Sequence, residues 1–231
     1  IDRNVDGLVV SPTAGNHAYL KKLARSDVPI VLVDRRIPGL PAPSIRVDNR
    51  TGAYEAVKHL IGLGHERIAI IKGLDGVETS DERFAGYAQA LSEHRIPLRE
   101  SLVHTGRFLK DGAFEATLEI LRMKAPPSAI FVCNEPMVSG CMLALKQKGV
   151  RIPEDMALIG FDDPVWASYM DPPLTTVSQP SYTMGLLAFD LLQARAGGAL
   201  KNSRHLDDII LKPVLVIRSS CGAAGLARKR R

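Results

Sequence analysis

The chain has 231 residues, 45% hydrophobic and 24% charged, an ordinary composition for one large globular domain or two smaller lobes. No apolar run reaches the roughly 18–20 residues that a membrane helix needs, and the first ten residues lack a signal-peptide pattern. The formal net charge is +5, but residues 228–231 supply four of those charges. The charge therefore gives little support to a nucleic-acid-binding surface.

Short strand-like segments alternate with longer helix-like segments along the chain. Most of the strand-like segments are apolar throughout, which is typical of parallel strands covered on both faces. The predicted strands are Val5–Val10, Pro29–Asp34, Ser44–Val47, Arg67–Ile71, Ser101–Thr105, Ala129–Cys133 and Ala157–Phe161. The predicted helices are Asn16–Ser26, Thr51–Leu63, Glu82–His94, Asp111–Met123, Pro136–Lys148 and Pro180–Ala196. This alternation predicts an α/β fold of doubly wound parallel sheets with right-handed crossovers.

The regular alternation ends after Asp163. Pro172 and Pro173 exclude a helix at that point, because proline lacks an amide hydrogen and restricts the residue before it. We therefore interpret Leu174–Val177 as an extended segment that crosses from one part of the molecule to another.

Polar and aromatic side chains follow the predicted strands. In doubly wound sheets, ligands bind beyond the carboxyl ends of the strands. The side chains at these ends include Asp34, Arg83 in a following loop, Phe108, Asn134, Asp162 and Asp163. We expect them to converge on a cleft.

Seven stretches, in this order, form a recognisable pattern. They are VDGLVVSP (5–12), PIVLVDRR (29–36), VDNRTGAYEAVKHLIGLGHERIAIIKG (47–73), SDERFAGYAQAL (80–91), AIFVCNEPMVSGCMLALKQKGVRIPEDMALIGFDD (129–163), PPLTTVSQPSYTMGLLAFDLL (172–192) and LVIRSS (215–220). The chain thereby resembles the effector-binding domain of the lactose-repressor (LacI/GalR) family of bacterial transcription regulators. That domain shares its fold with periplasmic sugar-binding proteins.

The resemblance implies two lobes with an effector bound between them, usually a sugar, sugar phosphate or nucleobase. It places the N-terminal lobe at 1–50 and 177–205, the C-terminal lobe at 51–176 and 206–220, and a basic disordered tail at 221–231. The crossing segments would lie near Asp48–Tyr54, Thr175–Gln179 and Leu206–Lys212. The resemblance also implies a cytoplasmic homodimer that uses no cofactor and contacts no membrane.

Two departures from the family pattern accompany the resemblance. The chain shows no helix-turn-helix headpiece, so we expect operator DNA to be bound only through a headpiece outside this chain. The match also starts about two strand–helix units into the effector domain, so we expect an incomplete N-terminal lobe.

Arg83 and Asp162 match effector-contacting residues of the family. A planar guanidinium offers paired donors that suit vicinal hydroxyls or carboxylates, and a carboxylate at a strand end can accept two sugar hydroxyls. The alternatives are a surface arginine for Arg83 and a helix cap for Asp162. We interpret Asp163 as structural, capping the turn over residues 164–169.

Four further residues complete the predicted ligand site, and each has a structural alternative. Asn134 can bind ligand or cap the following helix, and Phe108 can stack on a sugar face or belong to the core. Asp34 can bind ligand or pair with a neighbouring arginine. Thr79 lies in the loop before Arg83, where it can contact ligand or, like Ser80, cap the helix predicted from Glu82.

The sequence favours a sensor over two other classes of protein. A secreted or periplasmic sugar-binding protein of the same fold is the alternative, and the missing signal-peptide pattern argues against it. An enzyme is not expected, because the G-x-S-x-G, P-loop and G-x-G-x-x-G motifs are absent. The three cysteines and six histidines lack metal-ligand spacing, which predicts reduced thiols and no metal.

Overall fold

The computed structural model describes residues 5–13, 15, 17–24, 28–197 and 208–222. The chain divides into two compact units. Unit 1 comprises Ile1–Asp48 and Pro180–Lys212, and unit 2 comprises Asn49–Gln179 and Pro213–Arg231. The chain therefore passes from one unit to the other three times.

Unit 1 contains a four-stranded parallel sheet with the order β1-β2-β3-β9. Its strands are β1 Leu8–Val10, β2 Ile30–Val33, β3 Ser44–Val47 and β9 Ile209–Leu211, and its helices are α1 Ala18–Leu23 and α6 Ser181–Ala196. The middle strands β2 and β3 are mostly buried, whereas β1 and β9 at the edges are partly exposed. The core of this unit thus combines its middle strands with a few buried residues outside the sheet, such as Met184 of α6 and Ile37.

Unit 2 contains a six-stranded sheet with the order β10-β8-β7-β6-β4-β5. All neighbouring strands are parallel except β10, which runs antiparallel to β8. Its strands are β4 Ile68–Lys72, β5 Val103–Thr105, β6 Ala129–Val132, β7 Ala157–Phe161, β8 Thr175–Ser178 and β10 Val214–Val216. Its helices are α2 Asn49–Gly62, α3 Glu78–Glu93, α4 Lys110–Leu121 and α5 Glu135–Gln147, with short 3-10 turns at Glu100–Leu102 and Val165–Ser168.

The core of unit 2 is continuous because its middle strands are covered on both faces. Every residue of β4, β6 and β7 is buried, as expected for parallel strands between helical layers. Two glycines bring the helices together in pairs. A Cβ at Gly86 of α3 would overlap the carbonyl oxygen of Arg50 in α2, and one at Gly140 of α5 would overlap that of Lys110 in α4.

The last described segment of unit 2 joins two of its strands. The hydroxyl of Ser220 donates to the carbonyl of Leu158 in β7 at 2.6 Å. The same oxygen accepts from the amide of Thr175 in β8 at 2.8 Å. Ser220 and Cys221 are buried, so the end of the described chain belongs to the core of unit 2.

The predicted α/β class with parallel sheets is confirmed, but several predicted boundaries differ from the structure. The segment 206–212 was assigned to the C-terminal lobe, whereas β9 pairs with β3 in unit 1 and the chain enters unit 2 only at Pro213. The tail was predicted to begin at Cys221, which is buried; residues 223–231 lie outside the described residues. The helix predicted over Asn16–Ser26 is the shorter α1, and Ser26 itself is not described.

The start of α3 also differs from the prediction, in which Thr79 or Ser80 capped a helix beginning at Glu82. The helix begins four residues earlier, at Glu78, and Val77 is its N-cap residue, in an extended conformation. The carbonyl of Val77 accepts the amides of Ser80 and Asp81 at 2.8 and 3.0 Å. Thr79 and Ser80 therefore lie inside the first turn and cannot act as caps.

Candidate functional site

Arg83 is held rigidly inside unit 2 although it is a long charged side chain. It is 3% exposed, and its Nε donates to Oδ1 of Asn49 at 2.8 Å. Its Nη1 donates to the carbonyl of Cys133, just past the end of β6. The guanidinium carbon lies 3.6 Å from the ring centroid of Phe161, the last residue of β7. The guanidinium thus has a fixed orientation at the carboxyl ends of the two middle strands.

Asp162 follows β7 directly and is held by groups from two other segments. Its amide donates to the carbonyl of Val177 in β8 at 2.9 Å. Its Oδ2 accepts the amide of Glu135, at the first turn of α5, at 3.1 Å, and its Oδ1 accepts from Nε2 of Gln179. An ionised carboxylate has about four lone-pair positions, so these two donors leave acceptor capacity for ligand hydroxyls.

Backbone strain marks the same ends of the strands. Among the described non-glycine residues, five have a positive φ, and four of them follow strands: Asp34, Arg107, Phe108 and Asp162. Such a conformation is uncommon for residues with a Cβ and persists where the surroundings enforce it, often at functional positions. The strain therefore supports three of the predicted site residues, Asp34, Phe108 and Asp162.

Asn134 and Phe108 lie on the same edge of the unit 2 sheet. Asn134 is the N-cap of α5, and its Oδ1 accepts the amide of Met137 at 3.1 Å. The ring of Phe108 lies directly on Gly73, the residue after β4, where any Cβ would collide with it. Asn134 therefore has the capping role considered as its alternative, and Phe108 is half-buried over the end of β4.

The remaining two predicted residues differ in their surroundings. Thr79 is 1% exposed on α3, one turn before Arg83, and its hydroxyl has no hydrogen-bond partner among the described residues. Asp34 belongs to unit 1, where it follows β2 and forms an ion pair with Nε of Arg35 at 3.2 Å. That ion pair was the structural alternative for Asp34, and its contact with a ligand stays a prediction.

Sequence reasoning missed the side chains that hold the predicted ones in place. Asn49 and Gln179 are the first and last residues of the longer segment of unit 2, and they bond Arg83 and Asp162 respectively. Both had been included only in predicted crossing segments. Their side-chain amides, placed where the chain passes between units, could have indicated a role beside the candidate site. Phe161 was read as a strand residue and supplies the surface under the guanidinium.

Asp163 is structural, but it does not cap the following turn as predicted. Its two carboxylate oxygens accept from Nη1 and Nη2 of Arg218 at 2.7 and 3.1 Å, and Oδ1 also accepts from the hydroxyl of Thr176 at 2.7 Å. The hydrogen bonds from Arg218 hold the pKa of Asp163 below its usual value. Asp163 thus ties the end of β7 to the segment after β10.

Two buried cysteines of unit 2, Cys133 and Cys141, have the properties of packing thiols. Burial raises the pKa of both Cys133 and Cys141 to about 12, so neither is a nucleophile near neutral pH. Within the described parts of the chain, no group of three or more His, Cys, Asp or Glu side chains could hold a metal ion. Among the helices that the structure describes, none combines the length and the hydropathy of a membrane-spanning segment.

The site therefore presents a guanidinium, a carboxylate and an aromatic ring along one edge of unit 2. A family model described as "Periplasmic binding protein-like domain" matches residues 57–221. The probable HTH-type transcriptional regulator EndR of Paenibacillus polymyxa is 34% identical over 224 residues, which cover 95% of this chain and 65% of EndR. The HTH-type transcriptional repressor PurR of Vibrio atlanticus is 35% identical over 221 residues, again 95% of this chain and 65% of the relative. The chain thus spans slightly less than two thirds of the length of these relatives.

Solved structures agree with the sequence comparison. A regulatory protein of the LacI family from Chloroflexus aggregans is 32% identical with a TM-score of 0.83, covering 94% of this chain and 77% of that one. The complex of the transcriptional regulator CelR with cellobiose is 30% identical with a TM-score of 0.86, covering 95% of this chain and 67% of that one. Both similarities extend across the two units described above.

Proposed function

The chain belongs to the periplasmic-binding-protein-like family, among the LacI-type transcription regulators, and we propose from this premise that it is the effector-sensing domain of such a regulator. The observation that carries the proposal is the arrangement of Arg83 and Asp162. Both side chains suit a polar ligand. Arg83 is held by the side-chain amide of Asn49 and Asp162 by that of Gln179, and both amides lie where the chain passes from one unit to the other.

A sugar or sugar derivative is the ligand class that these side chains fit best. Arg83 supplies a guanidinium of fixed orientation, Asp162 has acceptor positions beyond its two hydrogen bonds, and the half-buried ring of Phe108 offers a flat apolar surface for the C–H face of a sugar. A few polar groups on an otherwise apolar surface are typical of small-molecule sites. The similar regulator CelR has been solved as a complex with cellobiose, which supports the same class here.

The side-chain amides of Asn49 and Gln179 would link effector binding to the two units. A ligand that takes hydrogen bonds from Arg83, or donates them to Asp162, changes the bonds of Asn49 and Gln179 at the points where the chain crosses between units. We propose that operator DNA is bound through a headpiece outside this chain and that effector binding controls its affinity. The relatives named HTH-type regulators support this role. Because bacterial DNA lies in the cytoplasm, we propose a cytoplasmic location.

Binding without chemical change is the favoured outcome at this site. The thiol beside Arg83, that of Cys133, is buried and has a pKa of about 12, so it is not an activated nucleophile. The relatives are regulators, which supports neither an enzyme nor a periplasmic transport protein. Conversion of a bound sugar in a turnover assay would contradict this proposal.

The proposal is tested by a thermal-shift screen with sugars and sugar derivatives, followed by calorimetry on any compound that raises the melting temperature. Arg83→Met keeps part of the contact with Phe161, and Asp162→Asn suits the positive φ of that residue. Each change is expected to weaken effector binding by roughly 2–4 kcal/mol, because a charged partner of a polar ligand is lost. Unchanged affinity in both variants would show that the effector binds elsewhere.

A homodimer is the second part of the proposal, supported by an apolar surface of unit 2. Met142 of α5 and Met170 line both a groove of about 550 Å³ and a neighbouring pocket, and Trp166 lines the pocket. Beside them, Val165 and Tyr169 are 76% and 80% exposed. Large apolar side chains at this exposure are typical of surfaces that are covered in an assembly.

The rim of the groove indicates a second copy of the chain as the occupant. It carries charges of both signs: Lys146, Arg151, Glu154 and Asp171. A two-fold contact places the same surface on both sides, so the positive side chains of one copy can face the negative side chains of the other. Met170→Glu is expected to convert a dimer into monomers in sedimentation velocity, whereas Leu98→Glu, at another exposed apolar residue, is the control. A wild-type monomer at micromolar concentration would contradict the dimer.

A further inference from the structure

Lys72 is a buried cation that the proposed function leaves unused. It ends β4, is 8% exposed, and its Nζ lies 5.1 Å from the ring centroid of Phe84. Its ion-pair partner is Asp75, three residues later in the turn after β4, whose side chain is 80% exposed. Burying a charge is costly unless the charge is compensated, and here the compensating group lies on an exposed turn.

The position of Lys72 is at the same sheet edge as the candidate site. β4 lies beside β6, and the carboxyl end of β6 carries Cys133, whose carbonyl binds Arg83. The positive charges of Arg83 and Lys72 both oppose the burial that raises the pKa of Cys133. Two cations therefore lie close to the end of β6, one belonging to α3 and one to β4.

Two buried hydroxyls lie beside these cations in the first turn of α3. Thr79 and Ser80 are 1% and 0% exposed, and neither hydroxyl has a hydrogen-bond partner among the residues that the structure describes. Side chains four residues apart share one face of a helix. Thr79 therefore lies one turn before Arg83, and Ser80 one turn before Phe84, the ring next to Lys72.

These groups share a preference for negative charge. A buried hydroxyl without a partner is destabilising, and a ligand acceptor would relieve that cost. The N-terminus of a helix carries a partial positive charge and unpaired amide groups. The ammonium of Lys72 adds a full positive charge, balanced in the ligand-free chain by a carboxylate exposed on a turn.

We propose that the effector carries an anionic group, and that Lys72 receives it together with the hydroxyls of Thr79 and Ser80 at the first turn of α3. The inference rests on the proposed function and specifies its ligand as a sugar bearing a carboxylate or phosphate. The anionic group displaces Asp75 from Lys72, while Arg83 and Asp162 bind the uncharged hydroxyls. Carboxylate and phosphate oxygens form the same charge-assisted hydrogen bonds with an ammonium and with hydroxyls.

Calorimetry with matched ligand pairs at constant ionic strength tests the inference. The pairs are ribose with ribose 5-phosphate, glucose with glucose 6-phosphate, and glucose with glucuronate. We expect the anionic member of at least one pair to bind about tenfold more tightly or better. A preference in the phosphate pairs or in the glucuronate pair identifies which anionic group the site takes.

Variants of the ion pair assign the preference to Lys72. Lys72→Met keeps most of the side-chain volume and is expected to reduce affinity for the anionic member about tenfold while leaving the neutral member within about twofold. Lys58→Met removes one positive charge from the half-exposed Lys58 of α2 and is expected to change neither. Asp75→Asn removes the competing carboxylate, so it is expected to tighten anion binding about threefold or more. Because Asp75 is exposed, this variant gives an answer even if Lys72→Met unfolds.

The outcomes separate the two proposals. Neutral sugars that bind in an Arg83-dependent manner, with no preference for their anionic partners, would overturn the anionic effector and keep the sensor. Equal weakening of both members by Lys72→Met would likewise give Lys72 a purely structural role. If no member of any pair binds at millimolar concentration, the proposed sugar sensor fails, and the inference fails with it.

Discussion

The two units share one architecture but differ in how much of it is buried. In unit 2, the strands β4, β6 and β7 are buried throughout and the helices pack in close pairs. In unit 1, helix α1 buries none of its six residues, and α6 buries only Met184 and Ala188 of its sixteen. Parallel sheets are stable when both faces are covered, so the difference shows where stability is concentrated.

Exposed apolar side chains of unit 1 mark the surfaces that remain uncovered. Val9 of the edge strand β1 is 49% exposed, Phe189 of α6 is 60% exposed, and Ile210 of β9 is 55% exposed. An edge strand with unpaired backbone groups and apolar side chains is prone to pair with other polypeptide. We therefore expect unit 1 to depend on further polypeptide for its full stability, while unit 2 is self-sufficient.

The largest effect of this difference is expected in native-state hydrogen exchange. Amides of β4, β6 and β7 should exchange only through global unfolding, whereas those of β1 and α6 should exchange by local opening. A difference of roughly 3 kcal/mol in opening free energy, more than a hundredfold in rate, is reasonable for a core compared with a partly covered sheet. Equal protection in the two sheets would remove the distinction between the units.

A pair of glycine substitutions tests the packing difference more directly. Gly140→Ala in α5 places a methyl group against the backbone of α4, so it is expected to lower the free energy of unfolding by about 1–3 kcal/mol. Gly185→Ala in α6 has no described atom within 4 Å of the new Cβ, and the higher helix propensity of alanine is expected to add about 0.5–1 kcal/mol. Urea denaturation measures both changes. Loss of stability in Gly185→Ala would show that α6 is covered in solution.

The smallest effects on the free energy of unfolding are expected from two ion pairs, one in each unit. In unit 2, hydrogen bonds from Arg218 lower the pKa of Asp163. In unit 1, burial raises the pKa of Asp208, but hydrogen bonds from Ser44 and Arg46 and the charges of Arg46 and Arg36 together outweigh this effect, so the net shift is downward. A lowered pKa in the folded state means that the ionised carboxylate stabilises the fold above the usual value near 3.8, and that this contribution disappears as pH falls below it.

Each pair is expected to contribute about 0.5–1 kcal/mol, because both are partly screened by solvent. Asp163→Asn should lower the free energy of unfolding at pH 7 and flatten its dependence on pH below about 4. Asp208→Asn should instead increase local exchange in unit 1 while leaving unit 2 unchanged. An unaltered acid-denaturation profile in Asp163→Asn would show that the Arg218 pair contributes nothing to stability.

The difference between the units also explains how much could be predicted from the sequence. In unit 2, continuous apolar runs predicted β7 with its observed bounds and β6 to within one residue, because such strands lie between helical layers. The three-residue strands β9 and β10 carry too few residues for any periodicity, and β9 was therefore assigned to the wrong lobe. Long-range pairing, not local propensity, defines such strands.

The candidate site shows the same division between local and long-range information. Arg83 and Asp162 could be proposed because each has a recognisable local setting in the sequence. Their partners Asn49 and Gln179 lie 34 and 17 residues away along the chain, and no local pattern links the members of each pair. Lys72 was overlooked because a charged residue at the end of an apolar run is usually only a solvated strand end.

The three passages of the chain between the units have a consequence for its synthesis. A ribosome releases the polypeptide from its N-terminus, yet unit 1 needs β9 at Ile209–Leu211 and unit 2 needs Ser220 to join β7 to β8. A nascent chain that ends before residue 208 therefore exposes two unfinished sheets at once. Each sheet therefore keeps an unpaired strand edge until residues 209–220 have been synthesised, and until then that edge is open to incorrect pairing.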